Sequence, residues 1–283
     1  MRWLSDEGEK RYAALLGVGD KLLVALDFDG TLAPIVDDPA HARIHPDAAD
    51  VLIALAQRVG VIAVVTGRPA RQVLDLGGLE EVADRMAEVG TELRVFGQYG
   101  AERWDASHRV IRSPRPPHGL ASFERELPKL LRQAGAAEAF VEDKGLAVAV
   151  HTRRLPDAEA VFARLLPLLT EAAESHDLEV EPGKLVVEVR DGSMDKGLVV
   201  DRLITSMPAS GVVFAGDDLG DVEAFETVAA WAAEGLPTLL VCSEPESAGD
   251  DDGESPLVAM ADVAVTGPAG VLALLNRLAA DLS

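Results

Sequence analysis

The stretch KLLVALDFDGTLAPIVDD, Lys21 to Asp38, decides the fold. A run of apolar β-formers reaches Phe28 and closes on two acids, Asp27 and Asp29, one residue apart. In an open α/β sheet, residues just past the carboxyl end of a buried strand face the crevice where ligands bind. Two carboxylates that close repel each other when both are ionised, so the pair calls for a shared proton or a cation between them. Gly30 and Thr31 follow, permitting a tight turn whose backbone N–H groups can point at an anion. A strand-end aspartate also commonly caps a turn, so the pair alone leaves a structural and a catalytic reading open.

Outward from this stretch, strands and amphipathic helices alternate, the pattern of a parallel sheet covered on both faces. PDAADVLIALAQRVG has helical spacing, VIAVVT is a second buried strand, RPARQVLDLGG is a short helix stopped by its glycines, and LRVFGQYG is a third strand. From about Trp104 the texture changes, and the Pro-rich SPRPPHG marks a break. The order after it is helix, strand, strand, helix, strand, strand, an antiparallel unit with one exposed sheet face. DKGLVVDRLITSM, GVVFAGDD, DVEAFETVAAW and TLLVC then resume the first texture. The expectation is an α/β protein: a Rossmann-like core (1–106 and 190–283) interrupted by a smaller α+β cap (107–189). Trp104 is expected at the junction of the two. The acidic, turn-rich Ser243 to Pro256 reads as a mobile surface loop rather than a calcium loop, since no helix frames it.

Three further strand or helix ends carry chemistry. TGR, Thr66 to Arg68, closes the second strand with a hydroxyl; DKG, Asp195 to Gly197, opens a helix with a lysine; FAGDDLGD, Phe214 to Asp221, ends a strand in a fresh acidic cluster. DxDGT, the strand-end Thr, the Lys and GDD together resemble the four-motif signature of the haloacid dehalogenase superfamily of phosphatases. That resemblance implies that Asp27 attacks phosphorus to form an aspartyl-phosphate and that Asp29 is the general acid and base. It implies that Thr66 and Lys196 bind phosphoryl oxygens and that Mg²⁺ is held by Asp27, the Asp29 carbonyl and Asp217. Asp218 is counted with the metal ligands, although the sequence does not separate direct from outer roles for Asp218 and Asp221. The chemistry is coherent, because a carboxylate nucleophile splits one difficult displacement into two. Phosphate monoesters resist water so strongly that such a site must supply on the order of 20 kcal/mol.

More specific stretches, DGTLAPI, GAE (Gly100 to Glu102), EDKGLAVAVHTR, GKLVVEVRDGSMDKG and GDDLGDVEAF, resemble the trehalose-6-phosphate phosphatase family. This implies Glu142, Lys144, His151, Lys184 and Glu188 as sugar-binding residues of the cap, with Gly67 and Arg68 near the phosphoryl group. A salt-bridged strand surface is the competing reading of the cap residues. Arg68 either contacts the phosphate or steadies its loop. Lys184 and Glu188, like His151 and Arg153, are an even number of residues apart and would share a strand face. The chain departs from the family at Tyr99, often a histidine there, and at Gly220 and Val222, usually Thr and Glu. The implied reaction is Mg²⁺-dependent hydrolysis of trehalose 6-phosphate. Another sugar phosphatase (sucrose-phosphate or mannosyl-3-phosphoglycerate type) and a catalytically weak trehalose-phosphate sensor are the alternatives.

Bulk properties set bounds. With 48 Asp and Glu against 26 Lys and Arg the net charge is −22, which repels nucleic acid and anionic membranes. The partner expected is a small phosphorylated disaccharide, met by a monomer. A single cysteine, Cys242, excludes an intramolecular disulfide and a thiolate metal cage. No secretory leader or apolar run of about 20 residues is evident, so the expected location is cytoplasmic. His41, His45, His108, His118 and His176 lack metal-ligand spacing and read as surface residues.

Overall fold

A computed structural model describes residues 1–282 except 37, 208 and 246–254. In chain order the strands are β1 (Arg2–Trp3), β2 (Leu22–Leu26), β3 (Val61–Val65), β4 (Glu92–Gly97), β5 (Glu102–Asp105), β6 (Val110–Arg112), β7 (Phe140–Asp143), β8 (Ala147–His151), β9 (Glu179–Gly183), β10 (Val186–Arg190), β11 (Gly211–Gly216), β12 (Thr238–Glu244) and β13 (Val263–Thr266). The helices are α1 (Asp6–Leu15), α2 (Ala48–Ala56), α3 (Ala70–Gly77), α4 (Leu79–Glu88), α5 (Leu120–Ala134), α6 (Ala158–Glu174), α7 (Lys196–Ser206), α8 (Val222–Ala233) and α9 (Gly267–Asp281). The chain forms two compact units, 1–112 with 195–283, and 113–194.

The first unit is built on a sheet of order β1-β13-β12-β11-β2-β3-β4-β5-β6. The six strands from β13 to β4 run parallel. Every residue of β2 and of β3 is buried, as strands covered on both faces must be. Val24 and Leu26 join Leu52, Leu55, Leu274 and Leu275 of α2 and α9 in one core layer. Phe214 of β11 meets Phe225 of α8 edge to face, ring centroids 5.7 Å apart. From β2 the chain winds outward through β3 to β4, whereas β11 returns on β2's other side. The crevice at the carboxyl ends of β2 and β11 is therefore the topological switch point, where doubly wound sheets hold ligands.

The second unit is an antiparallel sheet of order β7-β8-β10-β9. Val148, Val150, Val187 and Val189 form its core with Phe123, Leu127, Leu165 and Leu169 of α5 and α6. Its limits differ from the expected 107–189. The pair β5–β6 extends the first sheet to Arg112, and Arg190 Nη1 donates to the Asp191 and Met194 carbonyls, keeping the exit segment with the second unit. Trp104, expected at a junction, is instead buried on β5 within the core of the first unit. The expected short helix ends at Gly78, whose φ of 57° closes α3, but the chain re-enters a helix immediately as α4. Of the expected surface loop Ser243 to Pro256, residues 246–254 lie outside the described residues, and Ser243 and Glu244 belong to β12.

Candidate active site

Asp27 follows β2 and is buried, with its N–H donating to the Ala215 carbonyl of β11 at 2.9 Å. Lys196 is the first residue of α7. Asp195 caps that helix, its carboxylate accepting from Leu198 N–H at 2.8 Å. A lysine at a helix N-terminus opposes the macrodipole, and this one is buried as well. It is held by two carboxylates: its Nζ donates to Asp27 Oδ1 and to Asp221 Oδ1, each at 2.7 Å. Burial works against the ammonium, but the Asp221 and Asp27 charges more than offset it and push its pKa well above the usual value.

The last motif sorts its own aspartates. After β11 the chain makes a 3₁₀ turn over Leu219–Asp221, capped by Asp218, whose Oδ1 accepts from Gly220 N–H at 2.9 Å. Asp221 turns inward, and its Oδ2 accepts from Asp217 N–H at 3.0 Å. Carboxylate oxygens of Asp27, Asp217 and Asp221 lie within 4.8 Å of one another. Asp221 thus joins the cluster, whereas Asp218, expected as a metal ligand, faces solvent and serves the turn. Burial raises the pKa of Asp27, Asp217 and Asp221 first, and neighbouring carboxylates raise each further. Asp217 Oδ1 is buried and has no hydrogen-bond partner among the described residues. One lysine faces three carboxylates, and the donors are all hard oxygens. The residues present fit a divalent cation such as Mg²⁺.

The loop joining these acids is closely fitted. Gly30 has φ 65°, and a Cβ there would meet Asp217 Oδ2 at 2.1 Å, so only glycine lets the turn approach that carboxylate. The Gly30 carbonyl accepts from Ser243 Oγ at 2.6 Å. No local sequence signal marks Ser243, because its partner lies 213 residues away. Thr31 Oγ1 is buried and has no hydrogen-bond partner among the described residues.

Thr66, also buried, follows β3, and its Oγ1 accepts from Arg68 N–H at 3.2 Å. Glu102, the acid of GAE, explains that motif: its carboxylate accepts from Ala70 N–H at 2.7 Å, capping α3 and fixing the TGR loop. Arg68 grips Asp29, Nε to Oδ2 at 2.6 Å and Nη2 to Oδ1 at 2.7 Å, while Nη1 donates to the Pro39 carbonyl at 2.8 Å. The three departures are partly connected. A Cβ on Gly67 would lie 2.8 Å from Tyr99 Cζ, and one on Gly220 would lie 3.7 Å from Tyr99 Cε1. The tyrosine ring therefore packs on Gly67 beside the spot where position 220 lacks a side chain. Tyr99 itself has φ 56° and donates its N–H to the Thr66 carbonyl at 2.9 Å.

On the second unit, strand register places Glu142, Ala149, Glu188 and Glu181 in one row on the face opposite the valine core. Glu142 pairs with His151 Nε2 at 3.0 Å, Glu188 with Lys144, and Glu181 with Arg190 at 2.9 Å. Glu188 is buried, and its Oε1 has no partner among the described residues. Glu181 and Arg190 carry no local motif that marks them; the cross-strand row includes Glu181, and Arg190, two residues on from Glu188, shares its face and pairs with Glu181. Lys184 departs from its expected place. It sits with Leu185, φ 60°, in the two-residue turn between β9 and β10, so strand parity with Glu188 does not apply. Arg153 likewise lies beyond β8 and donates to the Lys184 carbonyl at 3.3 Å. His176, expected at the surface, is half-buried against Phe123 and faces Glu126 at 3.4 Å.

The trehalose-phosphatase family model matches residues 25–255. A Sinorhizobium fredii protein named "Probable trehalose-phosphate phosphatase" is 32% identical over 78% of this chain and 79% of its own length. The trehalose-phosphate phosphatase of Mycobacterium bovis is 30% identical over 97% of this chain and 68% of its length. In fold, the C-terminal domain of the C. albicans trehalose-6-phosphate phosphatase superposes with a TM-score of 0.74 at 20% identity, covering 99% of this chain and 98% of that one.

Proposed function

The chain belongs to the trehalose-phosphatase family, and from that premise we propose that it hydrolyses trehalose 6-phosphate to trehalose and phosphate. The observation that carries the reading is the buried cluster at the switch point. It comprises Asp27 and Asp221 on Lys196, with Asp217 beside them, its Oδ1 without a hydrogen-bond partner among the described residues.

In this mechanism an Asp27 carboxylate oxygen forms a bond to phosphorus as the ester P–O bond breaks. The bonding pair goes to the leaving sugar oxygen, which takes a proton from Asp29. Water then attacks phosphorus and gives its proton to Asp29, the bond from phosphorus to the Asp27 oxygen breaks, and the carboxylate is restored. Lys196 holds Asp27 in line for attack and offers positive charge to the phosphoryl oxygens. Thr66, Thr31 and the Gly67 backbone supply neutral contacts to the same group. Asp27, Asp217 and the Asp29 carbonyl would hold a Mg²⁺, which would supply neutralisation of the negative charge of the nucleophile and the phosphoryl group. Asp221 stands behind Lys196 as its counter-ion and orients the Asp217 backbone.

The sugar residues of the proposal are Glu142, Lys144, His151, Lys184 and Glu188, joined by Glu181 and Arg190. Carboxylates accept from sugar hydroxyls and cationic groups donate to sugar oxygens. Support comes from the sheet face that Glu142, His151, Glu181, Glu188 and Arg190 share and from the buried Glu188 Oε1, which has no hydrogen-bond partner among the described residues. The same proposal holds that the protein acts as a cytoplasmic monomer without nucleic-acid partners. In support, its net charge is −22, and no helix among the described residues is long and apolar enough to cross a membrane.

The test is phosphate release by the purified protein with Mg²⁺ from trehalose 6-phosphate, sucrose 6-phosphate, glucose 6-phosphate and an aryl phosphate, with Asp27→Asn as the blank. Selective turnover of trehalose 6-phosphate, lost in the variant, is expected. Turnover of the aryl ester alone overturns the substrate, and inertness toward every ester overturns the enzyme.

A further inference from the structure

We infer that Arg68 is a positioning residue for Asp29, acting on the proton transfer to the leaving group rather than as the phosphate anchor its place in the TGR loop suggests. The inference rests on the reading above that Asp29 serves the leaving oxygen.

Three of Arg68's bonds define its task. Nε and Nη2 take the two oxygens of the Asp29 carboxylate in a fork at 2.6 and 2.7 Å, and Nη1 ties the guanidinium to the Pro39 carbonyl at 2.8 Å. A planar fork on a carboxylate fixes both the position and the rotation of that group, which a lysine ammonium cannot do. The guanidinium carbon also sits 6.0 Å from the Phe28 ring centroid, and its side chain is 12% exposed against 34% for Asp29. The more buried partner therefore holds the more accessible one. The clamp is rooted on both sides: the Arg68 N–H is on Thr66 Oγ1 and the Gln98 N–H is on the Arg68 carbonyl, at 3.2 and 2.8 Å.

A phosphate anchor aims its donors at the place of the phosphoryl group, but these donors are aimed at the acid. In the first step the proton on Asp29 passes to the oxygen that keeps the electron pair of the broken P–O bond. A leaving group that is stable as an anion needs that proton little, and one that is not needs it greatly. Arg68 is thereby expected to matter in proportion to leaving-group basicity, a dependence that phosphate binding does not produce.

The test is single-turnover release of the leaving group from phenyl phosphate and from 4-nitrophenyl phosphate, with trehalose 6-phosphate alongside. It compares wild type, Arg68→Gln, Arg68→Lys, Asp29→Asn and the Arg68→Gln/Asp29→Asn double variant. General acid catalysis contributes about 10²- to 10⁴-fold. Arg68→Gln is expected to slow phenyl phosphate at least about tenfold more than 4-nitrophenyl phosphate. Arg68→Lys, which keeps the charge and loses the fork, should show the same bias. In the double variant the bias should be no larger than in Asp29→Asn alone, because both act through one proton. An equal loss on both esters, rescue by lysine, or additive biases overturns the inference. Wild type that releases both phenols but leaves trehalose 6-phosphate intact overturns the proposed substrate while the two aryl esters still decide the role of Arg68. Wild type inert toward all three overturns both.

Discussion

Replacing Asp217 by asparagine should stabilise the protein without metal and destroy its response to metal. Asp217, Asp27 and Asp221 place carboxylate oxygens within 4.8 Å of one another, and Lys196 bonds to the latter two. At an effective dielectric of about 20, two unit charges at that separation repel by roughly 3.5 kcal/mol. Asp217 meets two such neighbours, and its buried Oδ1 has no partner among the described residues, which adds a desolvation penalty of about 1–3 kcal/mol. Protonation relieves part of this, so a net gain of about 1–3 kcal/mol is expected for Asp217→Asn at neutral pH. That raises the melting midpoint by roughly 2–4 °C per kcal/mol for a unit of this size.

The pH dependence has a definite sign. Burial and the neighbouring carboxylates raise the Asp217 pKa well above the usual range. The metal-free folded state therefore holds a proton that the unfolded chain releases. Its contribution to stability is complete below the ordinary carboxylate value and is lost as pH rises through the raised one. The gap between variant and wild type should widen with pH, and stabilisation of the wild type by Mg²⁺ should grow over the same interval as the cation displaces protons. The assay is thermal melting from pH 5 to 8 in EDTA and in millimolar Mg²⁺. A lower metal-free midpoint for Asp217→Asn, or an undiminished Mg²⁺ shift in the variant, would refute the reasoning.

Other consequences are as direct. Ser243→Ala strips the buried Gly30 carbonyl of its donor; a loss of about 1–3 kcal/mol in urea unfolding is expected, with a higher Mg²⁺ requirement, whereas Ser243→Thr should keep most of both. Gly30→Ala drives a methyl into Asp217 at a positive φ, so phosphate release should fall to the level of Asp27→Asn while circular dichroism stays that of a folded protein. Cys242 is fully buried, and burial pushes its thiol up to about 11; Ellman's reagent at pH 8 should find no thiol until denaturant is added, and prompt reaction in the native protein would contradict the packing at the end of β12.

What could be read directly from the chain followed from locality. An uninterrupted apolar run ending in DxDGT locates β2 and its acids because strand, turn and charge are adjacent. Lys196 was legible through the Asp195 cap beside it. The expected metal set holds Asp218 and omits Asp221, the reverse of the structure, because only a single 3₁₀ turn decides which carboxylate points inward, and the spacing of the two residues does not reveal that turn. Helix α4 escaped notice because Gly78 closes one helix and opens the next. Lys184 was misplaced because parity holds only within a strand, and a two-residue turn at Lys184 and Leu185 ends it. Ser243 and the aim of Arg68 rest on contacts between distant segments, which periodicity does not carry.

The interruption of the first unit also governs the order in which the chain can acquire its structure. Asp27 meets Lys196 across 169 residues, and β2 pairs with β11 only after the whole of 113–194 has been traversed. The second unit closes on local hairpins and adjacent helices, so on the ribosome it can fold while the first sheet still lacks its central neighbour. Until β11 arrives, β2 presents an open, wholly apolar edge, the kind of exposure that slows non-local topologies and invites chaperones. Nucleophile and lysine are therefore brought together late, and nascent chains shorter than about the end of β11 carry the first aspartates with no catalytic centre.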